Sequence, residues 1–286
     1  MRAVQDAGVE CELLLTAHPG HATELATTHG ARFDLVLTLG GDGTAMEVAN
    51  ALAGTGIPLG VLPGGTGNLL AGALGIPRNV RRAVRALLRG DLRQIDLGVV
   101  DGRRFAVAAG VGIDATMVEQ TPAWLKRRLG VLAYALMGSK AALQAVLTRR
   151  FFVARLEVDG TLIERRAAAV LFANFGAILD EWITFGPGIQ VDDGALDCCI
   201  FSPRNLWDSL RIMWRVTRQD FRPDPSILYV KGTHFRLTTE PRMSVQADGE
   251  LVGVTPVEIS VEPLAAHLLV PRRSSPSPSP SAAASR

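Results

Sequence analysis

Along the first hundred residues, two hydrophobic patterns take turns. Residues 11–15, 35–39 and 57–62 are short apolar runs with the length of strands buried on both faces. Residues 21–29, 44–52 and 79–89 instead repeat apolar positions every three or four residues, the period of a helix with one buried side. The last of these is punctuated at both ends: Asn79 stands as N-cap, Val80, Ala83, Val84, Leu87 and Leu88 form the stripe, and Gly90 follows. Alternating strands and helices predict a parallel, doubly wound α/β sheet. Such sheets bind ligands at the carboxyl ends of their strands.

Past Asp96 the period changes. Strand-like runs are separated by Asp101-Gly102, Asp159-Gly160, Asp193-Gly194 and Asp248-Gly249, each expected to be a hairpin turn in a mainly antiparallel β region. Helical periodicity interrupts this region at residues 119–149 and 204–221. The expected organisation is an α/β domain over residues 1–100, a β-rich domain over 101–271 whose last strand returns to the first domain, and a disordered Ser/Pro/Ala tail over 272–286.

Composition narrows the class. With 48% hydrophobic and 20% charged residues the body is too apolar for disorder, and no apolar run is long enough to span a bilayer. The formal charge of +2 is a property of the tail: without Arg272, Arg273 and Arg286, 27 basic residues face 28 acidic ones. Bulk charge therefore gives no reason to expect nucleic acid as a partner. Cys11, Cys198 and Cys199 make no disulfide framework, and no charged-then-apolar leader opens the sequence, so a reducing, cytoplasmic location is expected.

Candidate chemistry lies in two glycine-rich turns. Gly40-Gly41-Asp42-Gly43-Thr44 follows the run 35–39 and opens a helical stretch; Pro63-Gly64-Gly65-Thr66-Gly67-Asn68 follows the run 57–62 and opens another. Glycines admit close backbone approach, and amides at a helix start attract phosphate. Neither turn carries the Gly-Lys-Ser/Thr of a P-loop, and Met46 and Leu70 stand where a dinucleotide fingerprint has its third glycine. On spacing alone, Asp42 is a metal-organising carboxylate or a helix cap, and Glu250 is the exposed end of a hairpin.

Gly-Gly-Asp-Gly-Thr with Glu47 and Asn50, then Pro-x-Gly-Thr-x-Asn, resembles the catalytic domain of diacylglycerol kinases and related lipid kinases, including the sphingosine kinases. The resemblance extends to Asp96-Leu97-Gly98, the run Gly110 to Ala115, Asn174, the run Asp193 to Asp197, and Asp248-Gly249-Glu250. It implies an NAD kinase-like nucleotide-binding domain and phosphoryl transfer from ATP to a lipid hydroxyl, most simply diacylglycerol to phosphatidic acid. It also implies that Thr16, Gly40, Gly41, Asp42, Gly43, Thr44, Ala45, Met46 and Thr66 contact nucleotide, that Asp42 organises a catalytic Mg²⁺, and that Glu250 is the general base. Asp193, with the carbonyls of Gln190 and Ala195, resembles a structural Mg²⁺ site of bacterial members. An NAD kinase-like enzyme and a non-catalytic nucleotide- or lipid-binding module are the alternatives. Two departures stand out: residues 1–8 already read as the helix that follows the family's first strand, and Leu69 replaces an Asp that many bacterial relatives carry.

A lipid substrate directs attention to residues 204–222. On a helix, Arg211, Arg215, Arg218 and Arg222 share a face, with Trp207 and Trp214 at its boundary and Leu206, Leu210, Met213 and Thr217 beyond. That is the arrangement expected of a helix lying on an anionic membrane, with Lys126-Arg127-Arg128 beside Trp124 as a second basic patch.

Overall fold

The computed structural model describes residues 2–112, 151–178, 183–184 and 186–272. The helical stretch expected at 119–149, its basic patch, and the tail beyond Arg272 lie outside the described residues.

Helix α1 (Arg2–Gln5) is followed by α2 (His21–His29) with no strand between them. Residues 11–15, expected as a buried strand, belong to no sheet, and their side chains are open to solvent, Leu13 at 58% and Leu15 at 76%. An apolar run becomes a strand only where a neighbour takes up its main-chain donors and acceptors. From β1 (Val36–Gly40) the alternation holds, through α3 (Asp42–Leu52), β2 (Leu59–Pro63), α4 (Leu69–Ala73) and α5 (Val80–Leu87). The side chain of Asn79 caps α5, accepting the Arg82 N–H at 3.1 Å. Strands β1 and β2 pair in parallel with Gly40 opposite Pro63, so the two glycine turns leave the sheet side by side.

The β-rich part comprises β3 (Asp91–Val100), β4 (Arg103–Phe105), β5 (Ala108–Gly112), β6 (Phe152–Val158), β7 (Thr161–Ala167), β8 (Ala169–Ala173), the short pair β9 (Ala177–Ile178) and β10 (Ile183–Thr184), β11 (Leu196–Phe201), α6 (Leu206–Thr217), β12 (Ile227–Gly232), β13 (His234–Glu240), β14 (Ser244–Ala247), β15 (Glu250–Val254) and β16 (Val257–Val270). One sheet runs β1-β2-β16-β13-β6-β7, with β3 on β16 and β4 on β3; the other runs β12-β11-β8-β5-β14-β15. Strand β16 does return, pairing parallel to β2 at Leu268 and antiparallel to β3 and β13. The fold is thus α/β followed by mainly antiparallel β, yet the sheet runs unbroken past residue 100. So does one core: Leu52, Val61, Leu70 and Leu87 pack in the same cluster as Leu171, Phe175 and Leu268. A second cluster around Phe105, Phe152, Phe172 and Phe235 fills the space between the sheets.

Three of the four Asp-Gly pairs are hairpin turns with both residues at positive φ, at Asp101, Asp159 and Asp248. Asp193-Gly194 is not. It leads into β11, which pairs with β8 and β12 rather than with the segment before it. Gly194 is held from elsewhere: the buried carboxylate of Asp96 accepts the N–H groups of Gly194 and Leu264, each at 2.7 Å.

Helix α6 forms where expected, but its arginines do not make a free cationic face. Arg211 reaches Asp208 and Asp224 (3.1 and 3.2 Å), Arg215 reaches Asp220 and Asp224 (3.3 and 2.7 Å), and Arg222 reaches Asp220 (2.7 Å). Residues 218–226 fold back along the helix and bring two aspartates against it, a partnership that spacing along the helix cannot show. Arg218, by contrast, has no carboxylate partner among the described residues and lies over the Trp214 ring, 4.4 Å from its centre.

Candidate active site

The two glycine turns pack on each other, main chain against main chain. Gly64 donates its N–H to the Gly40 carbonyl at 2.8 Å; a Cβ on Gly64 would come within 2.9 Å of the Gly40 nitrogen, and one on Gly65 would run into the Cα of Gly41. Only glycine permits this approach. Asn68, at φ 54°, closes the second turn with its side chain, accepting the Gly65 N–H at 2.9 Å and donating to the Gly65 carbonyl at 2.8 Å. Thr66 is exposed at the tip, while Ala45 and Val48 bury the inner side of α3. The N-cap of α3 is Gly41, which brings no side chain, so beyond Asp42 the amides of Gly43 and Thr44 suit an anion.

The carboxylate of Asp42 takes up its own main-chain N–H and also reaches across to the next helix. It accepts the Leu70 N–H at 3.2 Å, with the amides of Asn68 and Leu69 also directed at it, and so caps α4 across the turn. Burial raises its pKa even against those amides.

The β14–β15 hairpin closes the site from the other part of the chain. Asp248 accepts the N–H groups of Ala106, Val107 and Ala108 at 2.6, 2.9 and 3.0 Å. Burial nonetheless pushes its carboxyl up to about 6, and the negative charge of Asp42 adds to the effect. Glu250 starts β15 and reaches α3: its Oε1 lies 2.9 Å from where a Cβ of Gly43 would sit, and its Oε2 accepts from Arg103 Nη2 at 3.3 Å. Leu69 packs here too, with its Cδ1 3.9 Å from the Cβ position of Gly249. Leu69 is therefore an apolar contact between the second turn and the hairpin.

The structure thus brings together Gly40, Gly41, Asp42, Gly43, Thr66 and Glu250, with Thr44, Ala45 and Met46 continuing α3. Thr16 is exposed in the segment before α2, where the carboxylate of Glu47 holds the Gly20 and Ala22 N–H groups at 2.9 and 3.1 Å and so ties that turn to α3. Gln190, Asp193 and Ala195 form a separate place. There Lys231 Nζ sits 2.6 Å from Asp193 and 3.3 Å from Asp197, and Asp193 also accepts the Ala195 N–H at 3.2 Å. In this structure Asp193 is paired with a protein cation, Lys231. Among the described residues no three His, Cys, Asp or Glu side chains gather as metal ligands. Sequence reasoning missed the anchoring by Asp248, legible only as a turn residue, and Arg103, which no pattern marked.

The site thus joins an α/β part bearing paired glycine turns to a β sandwich whose β14–β15 hairpin places a glutamate beside them. Residues 1–100 match the model of the diacylglycerol kinase catalytic domain, and residues 106–270 match that of the YegS C-terminal NAD kinase beta sandwich-like domain. The chain is 31% identical over 276 residues to a diacylglycerol kinase of Bacillus subtilis, covering 95% of this chain and 89% of that one. It is 32% identical over 254 residues to an uncharacterized protein of Synechocystis sp., covering 87% of this chain but only 57% of that longer protein. A crystal structure of a diacylglycerol kinase from Bacillus anthracis superposes with a TM-score of 0.73 at 22% identity, over 94% of this chain and 88% of that one. The chain belongs to the diacylglycerol kinase family, and its named relatives are kinases.

Proposed function

We propose that the protein is an ATP-dependent lipid kinase that moves the γ-phosphoryl group of ATP onto a lipid hydroxyl, with diacylglycerol as acceptor and phosphatidic acid as product. The observation that carries this reading is the position of Glu250 against Gly43, where a carboxylate meets the helix end best suited to hold phosphates. The amides of Gly43 and Thr44 and the glycines of both turns bind the nucleotide phosphates. Asp42 would hold Mg²⁺, which when bound supplies positive charge against the phosphates; two neighbouring carboxylates, Asp42 and Asp248, that both favour their protons suit such a cation. Arg103 fixes Oε2 of Glu250 and leaves Oε1 toward the substrate. As the lipid oxygen bonds to the γ-phosphorus and the bond to the bridging oxygen breaks, Glu250 takes the hydroxyl proton and ADP departs.

Incubation with labelled ATP and, separately, diacylglycerol, sphingosine and NAD tests this. Label in phosphatidic acid is the expected result. Label only in NAD would make the protein an NAD kinase, and label in no acceptor would make it a binding module.

A further inference from the structure

Helix α6 carries the largest exposed aromatic surface among the described residues. Trp207 is 79% exposed, Leu210 44% and Trp214 60%, whereas Asp208, Ser209 and Ile212 on the inner side are buried. At 100° per residue, Trp207, Leu210, Trp214 and Arg218 fall within an arc of ~100°. Two exposed indoles on one helical face, that of Trp214 beneath the Arg218 guanidinium, suit the boundary between hydrocarbon and water. No helix among the described residues is long and apolar enough to cross a membrane.

Next to the start of this helix lies an open cleft of about 350 Å³ lined by Arg165, Arg166, Ser202, Pro203, Arg204 and Pro225. Its guanidinium groups differ from those of Arg211, Arg215 and Arg222, because none has a carboxylate partner among the described residues. Arg165 donates to the Pro225 carbonyl at 3.3 Å and Arg166 lies over the Phe151 ring at 4.5 Å. The Ser202 hydroxyl oxygen, although its residue lines the cleft, is itself buried from solvent. Arginines in an open cleft without carboxylate partners form a receptor for a phosphate diester, and only two residues separate Arg204 from Trp207.

We infer that the exposed face of α6 and the Arg165/Arg166/Arg204 cleft together form a docking surface for an anionic phospholipid bilayer. Trp207 and Trp214 seat at headgroup level, and the cleft holds lipid phosphates. The inference rests on the lipid-kinase reading, since a water-insoluble acceptor must be met at a bilayer. It also moves the membrane contact from the arginine face expected from sequence, which aspartates occupy, to the tryptophan face beside it.

The test uses the full chain, the Trp207→Ala/Trp214→Ala variant and the Arg165→Gln/Arg166→Gln/Arg204→Gln variant. Each is sedimented with phosphatidylglycerol–phosphatidylcholine vesicles and with phosphatidylcholine alone. The unaltered chain is expected to bind the anionic vesicles, and the arginine variant to bind them roughly a hundredfold more weakly, at about fivefold per charge removed near such a surface. The tryptophan variant is expected to lose quenching by brominated lipid. Both variants should keep turnover on a monodisperse short-chain diacylglycerol and lose it on vesicle-borne substrate. Unchanged vesicle binding in both variants overturns the inference. So does full displacement from vesicles by millimolar glycerol phosphate, which would make the cleft a site for a soluble anion, or a dimer that the tryptophan variant abolishes. Vesicle binding by a chain with no kinase activity would sustain the docking surface while refuting the lipid-kinase reading.

Discussion

Glu250 and Asp248 sit two residues apart and do opposite things, one reaching out to α3 and the other holding the hairpin down. Glu250→Gln keeps the shape and the Arg103 contact but cannot take a proton. Turnover is expected to fall by roughly 10²–10⁴ with ATP affinity unchanged, and a normal rate would place the base elsewhere. Asp42→Asn still accepts the Leu70 N–H, so its unfolding midpoint should stay close to that of the unaltered chain while activity drops by more than about tenfold. Asp248 is read through pH. Its folded value of about 6 lies above the ordinary 3.8, so between these values the folded chain binds more protons than the unfolded one. Its contribution to stability is present below about pH 4 and is lost as pH rises through 6, a change on the order of 3 kcal/mol. Urea unfolding of the unaltered chain and Asp248→Asn at pH 4 and 7 should therefore show their difference shrinking by that amount. An equal difference at both pH values would contradict it.

At the level of elements, the glycines divide by what lies opposite them. A methyl at Gly43 would press on the mobile end of Glu250, whereas one at Gly65 would meet the main chain of Gly41. Gly43→Ala is thus expected to keep or slightly raise the thermal midpoint and to lower turnover about tenfold or more by displacing the carboxylate. Gly65→Ala should cost on the order of 1–3 kcal/mol and weaken ATP binding, since neither turn can yield. Thermal unfolding and ATP titration of the pair separate the two mechanisms. Much of this architecture was legible, because Asp-Gly pairs at Asp101, Asp159 and Asp248 dictate tight hairpins and capped periodic stretches dictate α5. The partners across the fold were not. Each hairpin aspartate also accepts main-chain N–H groups from a segment distant in sequence: Asp101 from Glu258, Asp159 from Thr233 and His234, and Asp248 from Ala106 to Ala108. The segment at 11–15 misled because apolar content stood in for pairing, and the α6 arginines misled because their aspartates lie on a returning loop.

On the scale of the whole molecule, the division near residue 100 is one of pattern more than of packing. Strand β16 lies between β2 and β13 and along β3, and Asp96 ties β3 to Gly194 and to Leu264 of that same strand. The sheet and the shared core should make unfolding a single cooperative event, with tryptophan fluorescence and far-ultraviolet dichroism giving coincident urea transitions. Two resolved transitions would show that the halves stand alone. The placing of β16 also sets an order of events during synthesis. The ribosome releases the glycine turns early, at about 5–20 residues per second, but the strand that flanks β2 is among the last described residues to emerge. A nascent chain stalled before residue 257 therefore lacks the strand beside β2, and a truncated product is expected to expose the edge of β2 and, on the proposed reading, to bind ATP poorly.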